Sequence, residues 1–194
     1  DTNNEQQSTN SDSIAQEISA SVNVAPLAEI KIPETWDFER LNKNSLTLDY
    51  CQYAVDDSDW SEEVPVWKVR KKMWYDAGLG DYDGVQPWVI EEKGIEVDKE
   101  MNLKMRFQFT SEITETEMGL VIEKAQDWKL KVNGQELDKD IDEYYWDKQF
   151  DLIDISEQVV KGENIVELEC DYRYGIEVEK IYVVGDFGVE QTGY

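Results

Sequence analysis

Aromatic side chains in loops are the residues of this chain whose types and spacing could contact a ligand. The 194-residue sequence contains seven tryptophans and ten tyrosines. An exposed ring can stack on the apolar C–H face of a sugar, while carboxylates and amides bind its hydroxyl groups. The candidates in a predicted long loop are Trp74, Tyr75, Tyr82 and Trp88, and a second cluster follows in Tyr144, Tyr145 and Trp146. We take Tyr145 and Trp146 as the site residues of that cluster.

The same rings have a structural alternative, because aromatic side chains also fill β-sandwich cores and pin loops. Trp36, Trp67 and Trp128 lie on or beside predicted strands and are predicted to be core residues. Trp60 follows an acidic run and is expected to cover one end of the fold. Three consecutive aromatic residues at 144–146 cannot all face inward, so at least one of them should be exposed.

Three aspartates in the first loop could bind a cation. Asp76, Asp81 and Asp83 precede Gly84, and hard cations such as calcium prefer several oxygen ligands around a tight turn. The run is shorter than an EF-hand loop and lacks its terminal glutamate. A structural calcium ion is therefore a minor alternative, and we predict no other cofactor.

The sequence marks no catalytic group. Histidine is absent, which removes the commonest general base and zinc ligand. No nucleophile elbow, phosphate-binding loop or dinucleotide fingerprint is present. Paired carboxylates could cleave a glycosidic bond, but nothing singles out such a pair. We predict a non-catalytic chain and keep a stand-alone hydrolase as the least favoured hypothesis.

Charge excludes two classes of partner. The 44 acidic and 19 basic residues give a net charge of −25. Such a surface repels nucleic-acid phosphates and anionic lipids, so neither nucleic acid nor membrane is expected as a partner. The two cysteines, Cys51 and Cys170, lie on predicted strands, where we expect buried free thiols; a disulfide between neighbouring strands is the alternative.

The elements that would position these residues are short strands. Residues 1–28 are polar and free of Lys and Arg, which indicates an acidic linker, and residues 29–194 form the predicted domain. Alternating apolar residues predict strands, the clearest flanking Asn133-Gly134, a pair typical of a type I′ hairpin turn. The fold class is all-β, an antiparallel β-sandwich, with residues 74–94 as a long loop. The predicted strands span residues 45–55, 64–69, 103–109, 119–123, 128–137, 150–155, 164–170 and 176–184.

Several motifs in order resemble a known family. They are Trp-x-Leu-x-Val-Asn-Gly at residues 128–134, Asp-Ile-Ser at 154–156, and Lys-Gly-Glu-Asn-Ile at 161–165. Residues 44–50 and 181–189 look like the opening and closing segments. The stretch from Trp36 to Val189 resembles the galactose-binding-like jelly-roll domains of glycoside hydrolase family 2 and bacterial rhamnosidase-like proteins.

The resemblance implies a role beside a separate catalytic domain. In such families a barrel performs catalysis, and the jelly roll supports it or contacts sugar. We therefore expect a carbohydrate-binding accessory module of a larger, secreted or cell-surface bacterial glycoside hydrolase, with polysaccharide and neighbouring domains of its parent chain as partners. The ending at residues 185–194 reads like a strand that runs on into another domain. The alternative is a structural module without a ligand of its own.

Overall fold

The structure, a computed structural model, describes residues 31–37, 39–82, 85, 87–95, 99–138 and 143–190. The chain divides into two compact units, Asp1–Glu39 and Arg40–Tyr194. In the first unit the described residues are exposed, and the Trp36 indole Nε1 donates to the carbonyl of Pro33 at 3.1 Å. The predicted linker, residues 1–28, lies outside the described residues, so its boundary at residue 29 stays a prediction.

The second unit is a sandwich of two antiparallel sheets, as predicted. One sheet has four strands in the order β1-β10-β5-β8, and the other has six in the order β3-β2-β4-β9-β6-β7. The described strands are β1 Asn44–Leu48, β2 Tyr50–Val55, β3 Val64–Pro65, β4 Met101–Ser111, β5 Met118–Glu123, β6 Lys129–Val132, β7 Gln135–Glu136, β8 Phe150–Asp154, β9 Gly162–Tyr172 and β10 Ile181–Gly185.

The long β4–β9 pair forms the centre of the larger sheet. Its register runs from Met101 opposite Tyr172 to Ser111 opposite Gly162. Successive residues of β4 alternate between buried and more exposed, so one face of the strand enters the core. Leu103, Met105 and Phe107 are almost fully buried there. Each such side chain contributes about 1.5–3 kcal/mol through removal of apolar surface from water.

The β6–β7 hairpin confirms the Asn-Gly prediction. Asn133 and Gly134 have φ values of 52° and 77°, the left-handed region that a type I′ turn requires at both central positions. The predicted core position of Trp128, just before β6, is also confirmed, because its side chain is buried.

The strand predicted over residues 45–55 is two strands in different sheets. Leu48 in β1 and Cys51 in β2 are both buried although they are three residues apart, which breaks the two-residue period. Asp49 is the residue at which the chain leaves one sheet for the other. Tyr50 is therefore exposed and does not share a buried face with Leu48, as the alternation had indicated. The last strand, β10, is also shorter than predicted.

The strand predicted over residues 64–69 is wrong beyond Pro65, because Val66–Asp76 is a helix, α1. Pro65 sits at its N-cap with extended backbone. Val66, Val69 and Met73 face the core at helical spacing, and the lysines and arginine between them are good helix formers. The alternation of Val64 and Val66 had imitated a strand.

Residues 74–94 are likewise not one long loop. They contain the end of α1, a 3₁₀ turn at Gly80–Tyr82 and a second helix, α2, at Pro87–Glu92. Proline suits the first helical position because its missing N–H has no partner there anyway. Leu79 and Ile90 are buried and tie this segment to the core. Within the described part of the chain, no helix is long and apolar enough to cross a membrane.

The two cysteines are buried free thiols, as expected. Cys51 lies on β2 and Cys170 on β9, and β4 runs between them. Strands two apart are separated by about 9–10 Å, which is beyond the reach of a disulfide. Burial raises the pKa of each thiol to about 12, and neighbouring carboxylates such as Glu63 and Asp171 add to the shift.

Candidate functional site

The predicted loop aromatics lie on helices rather than in a loop. Trp74 is half-buried against the core and meets Tyr174 edge-on at 5.9 Å between ring centroids. Its indole Nε1 is buried and has no hydrogen-bond partner within the described ranges. Tyr75 points outward from α1, and Lys71 Nζ lies 5.5 Å from its ring centroid.

Trp88 and Tyr82 are the other two of the predicted loop aromatics. Trp88 on α2 is 62% exposed. Tyr82 ends the 3₁₀ turn, and its side chain lies outside the described residues. The rings of Tyr75 and Trp88 are therefore accessible to a ligand, whereas Trp74 presents only part of its ring. Sugar contact by these residues stays a prediction.

The structure does not test the proposed calcium ligands as a set. The Asp76 carboxylate is bonded to Lys72 Nζ at 2.5 Å, and Asp81 is exposed. Asp83 and Gly84 lie outside the described residues. Over the ranges that are described, no group of three or more Asp, Glu, Cys or His side chains is arranged to hold a metal ion. The calcium site therefore remains a prediction.

The second aromatic cluster forms an exposed turn, which we call the turn platform (Tyr144, Tyr145 and Trp146). Trp146 is 77% exposed and Tyr144 54%, whereas Tyr145 is half-buried. The prediction that at least one of the three faces solvent is confirmed. The ring centroids of Tyr145 and Trp146 lie 6.0 Å apart at an interplanar angle of 34°.

Backbone hydrogen bonds hold this turn tightly. The N–H of Asp147 donates to the carbonyl of Tyr145 at 2.8 Å, and Trp146 between them has a φ of 67°. An i to i+2 bond around a positive φ is the rare and strained form of the γ-turn. The N–H of Tyr145 donates to the carbonyl of Phe150 at 2.9 Å and closes the loop onto β8. A bulky residue in this conformation is unusual and marks a candidate functional position.

The turn platform stands on the outer face of the four-stranded sheet. Val121 and Val184 are almost fully buried although they lie outside the central core cluster. Phe150 and Tyr182 pack edge to face on this side at 6.3 Å. The Tyr145 hydroxyl reaches the carbonyl of Lys43 at 3.5 Å. This last contact ties the turn platform to the segment before β1.

A polar groove of about 630 Å³ begins at Glu143, the residue before the turn platform. The N–H of Leu152 donates to the carbonyl of Glu143 at 3.1 Å, so β8 forms one wall. The groove combines acidic groups, one lysine and an apolar floor. Its lining residues include Lys43, Glu117, Gly119, Asp138, Asp154 and Gln158.

Charged groups in the groove are held by neighbours. Lys43 Nζ lies 3.4 Å from the Glu117 carboxylate, a largely exposed pair. The Ser156 hydroxyl and backbone N–H both donate to Asp154 Oδ1, at 2.6 and 2.9 Å, and hold the pKa of that carboxyl below its ordinary value. Asp154 is thus a permanent acceptor at neutral pH. The sequence carried no signal for the groove, because its walls come from four distant segments.

The described part of the second unit therefore defines a class, an all-β sandwich with an aromatic turn and a polar groove on its smaller sheet. No protein-family model matches the chain, and no curated protein matches it either.

A search of solved structures finds distant similarity to two rhamnosidases. A rhamnosidase from Novosphingobium sp. PP1Y is 13% identical with a TM-score of 0.37, and the match covers 79% of this chain and 16% of that one. An alpha-L-rhamnosidase from Dictyoglumus thermophilum is 10% identical with a TM-score of 0.30, covering 78% and 25%. The chain thus spans a quarter or less of these neighbours, and similarity at this level concerns the fold alone.

Proposed function

We propose that this chain is a non-catalytic carbohydrate-binding module of a larger, secreted or cell-surface bacterial glycoside hydrolase. One observation carries the proposal. The Trp146 ring is 77% exposed on a strained, hydrogen-bonded γ-turn, three residues after Glu143, which lines a polar groove. A fixed ring can stack on a sugar, and the groove supplies carboxylates, a lysine and an amide for its hydroxyls.

The strain at Trp146 supports a ligand role over a structural one. A core residue in a left-handed conformation is maintained by packing, but this side chain is mostly in water. Glycine or asparagine would satisfy the same backbone at lower free energy. A large ring retained there is best explained by a contact made outside the chain.

A catalytic role is less well supported. Glycoside hydrolysis needs one carboxyl group that is protonated at working pH and one that is ionised. Asp154 can supply only the ionised form, because hydrogen bonds from Ser156 lower its pKa. We expect no turnover of aryl-glycosides by the pure chain; turnover abolished by Asp154→Asn or Glu117→Gln would overturn the non-catalytic assignment.

Affinity electrophoresis in gels that contain single soluble polysaccharides tests the binding proposal. We expect one or more neutral glycans to retard the chain, and Trp146→Ala to weaken that retardation at least tenfold. Trp67→Ala is the matched control, because Trp67 is 61% exposed on α1 and far along the chain from the turn platform. If Trp88→Ala or Tyr75→Ala abolishes the retardation and Trp146→Ala does not, the binding site lies on the helices instead.

The competing account is a structural module that packs against a catalytic barrel. Arg40 Nη1 and Asn44 Nδ2 both donate to the carbonyl of Phe187, at 2.9 and 3.0 Å, and join the segment before β1 to the segment after β10. Leu41 and Val189 are exposed apolar residues beside that junction. Absence of retardation across a broad glycan panel, from a folded chain, would favour this account and contradict ours.

A further inference from the structure

The outer face of the six-stranded sheet carries four basic side chains interleaved with carboxylates. Lys104 and Arg106 project from β4, and Lys129 and Lys131 project from β6, on the side opposite their buried neighbours Leu103, Met105 and Leu130. These four residues are part of only 19 basic residues, against 44 acidic ones in the chain. We call them the basic face.

Two lysines of the basic face form no ion pair within 4 Å in the described part of the chain, although each lies opposite a glutamate in the sheet. The register aligns Lys104 with Glu169 and Lys129, and Arg106 with Glu167 and Lys131. Lys129 pairs with Glu169 at 3.6 Å. The ion pairs among the described residues include neither Lys104 nor Lys131. These two ammonium groups therefore retain hydrogen-bond donors for an external acceptor.

Arg106 is oriented by a chain of hydrogen bonds. Its Nε donates to Gln52 Oε1 at 2.7 Å, and Gln52 Nε2 donates to the carbonyl of Ser61 at 3.1 Å. The guanidinium carbon lies 4.4 Å from the ring centroid of Trp60. Within the described part of the chain, its terminal amino groups make no hydrogen bond. These terminal amino groups are therefore oriented to bind a carboxylate in a bidentate manner.

The loop that carries Trp60 is itself fixed. The backbone N–H groups of Tyr53 and Val55 donate to the hydroxyls of Ser61 and Ser58, each at 3.0 Å. Trp60 is 37% exposed, so part of its ring remains free for stacking. A ligand would therefore meet a rigid surface and would lose little affinity to ordering of the protein.

A shallow depression of about 60 Å³ is lined by Trp60, Lys104, Lys129, Lys131, Glu167 and Glu169, and Arg106 adjoins it through its contact with the Trp60 ring. Donors and acceptors alternate along it. A polyphosphate offers acceptors only and would meet the two glutamates with repulsion. A sugar acid carries carboxylates for the cations, hydroxyl donors for the glutamates and an apolar ring face for Trp60.

We propose that the basic face is a second binding site, specific for a carboxylate-bearing (uronate) oligosaccharide. It lies on the other sheet from the turn platform and uses different residues, so it goes beyond the function proposed above. The cations select the anionic sugar, Arg106 and Trp60 orient it, and Glu167 accepts from its hydroxyls.

Calorimetry with oligomers of polygalacturonate tests this site, with the methyl-esterified oligomers as the matched neutral ligand. We expect binding of the acid form, at least tenfold weaker binding of the ester, and a further fall as salt rises. The double variant Lys104→Gln with Lys131→Gln should bind the acid form at least tenfold more weakly. The control variant, Lys161→Gln with Lys180→Gln, removes the same charge from exposed positions elsewhere. It should leave the affinity for the acid form unchanged.

Each contrary outcome has a definite meaning. Equal affinity for the acid and ester forms, or equal loss in the two double variants, would overturn the proposal. Polyglutamate binding as tightly as the uronate oligomer would show an acidic-protein surface instead, which also overturns it. Trp146→Ala should leave uronate binding intact. The proposal for the basic face and the proposal for the turn platform can therefore fail independently of each other.

Discussion

At the scale of single residues, Trp146 is held in a left-handed conformation that costs a non-glycine residue about 1–2 kcal/mol. We expect Trp146→Gly to raise the free energy of unfolding by up to about 1 kcal/mol, since glycine removes the strain but has more freedom to lose on folding. Urea denaturation measures the change.

The matched variant is Trp146→Ala, which removes the ring but keeps the strained backbone. It should leave the free energy of unfolding near that of the original chain, while both variants lose glycan binding. Destabilisation by both substitutions would mean that the ring packs for stability, and would count against the turn platform as a ligand site.

Gly119 on β5 lies where packed neighbours leave no room for a Cβ atom. A Cβ at this position would lie 2.5 Å from Leu152 Cδ1 and 3.3 Å from Val184 Cγ2, inside the groove wall. Gly119→Ala should lower the free energy of unfolding by about 1–3 kcal/mol, because packed side chains must shift. Gly188→Ala, whose Cβ would meet no atom within 4 Å, is the control for the same denaturation measurement. Equal effects of the two would contradict the packing argument.

At the scale of elements, Asn164 joins the turn before β9 to the β6–β7 hairpin. Its side chain is fully buried, and its Nδ2 donates to the carbonyls of Val160 and Gly162 at 2.8 and 2.9 Å. Its Oδ1 accepts from the N–H of Val160 and from Asn133 Nδ2, each at 2.8 Å. One fully buried amide thereby makes four hydrogen bonds that link these two turns.

We expect Asn164→Ala to lower the free energy of unfolding by about 3 kcal/mol, because it removes four hydrogen bonds and leaves a cavity at a fully buried position. Thermal and urea unfolding measure the loss. Gln149→Ala, at an exposed position, should change stability by less than about 0.5 kcal/mol. A small loss at Asn164 would show that water replaces the amide.

The elements also show where sequence patterns mislead. The Lys-Gly-Glu-Asn motif ends at Asn164, and the hydrogen-bond network of that side chain supplies a physical reason for the motif. The alternation of Val64 and Val66 indicated a strand, yet Val66, Val69 and Met73 form the buried face of α1. Short apolar runs fit both periods, and the packing partner decides between them.

At the scale of the whole molecule, burial of two thiols and one phenol couples stability to alkaline pH. The pKa of Cys51 and of Cys170 is raised to about 12 from 9.0, and that of Tyr172 to about 12 from 10.0, mainly by burial. Between pH 9 and 12 the unfolded chain releases these protons and the folded chain keeps them. Stability should therefore fall as pH rises, by about 1.4 kcal/mol per pH unit for each thiol.

Urea midpoints measured from pH 7 to pH 11 check this slope. The double variant Cys51→Ala with Cys170→Ala should show a shallower fall above pH 9, although its stability at pH 7 is lower from the two small cavities. In the original chain the thiols should react with a thiol reagent only as fast as the protein unfolds. Rapid labelling of the folded chain would contradict their burial.

The amino-acid sequence alone determined the class of fold. Clean alternation over β4 and β9 and the Asn133-Gly134 turn are local signals, because side-chain period and turn chemistry depend on neighbouring residues. The exposure of at least one ring among residues 144–146 followed in the same way, since three consecutive side chains cannot share one face.

Only the tertiary structure decided which surfaces these elements create. The polar groove draws on segments around Lys43, Glu117, Asp138 and Asp154, and the basic face aligns Lys104 with Lys129 through β9. Trp67 and Trp36, predicted as core residues, are exposed, whereas Trp128 is buried. Sequence spacing specifies which way a side chain points within its own element. Burial, charge clusters and grooves depend on which distant elements come together, and that is set by the packing of the whole chain.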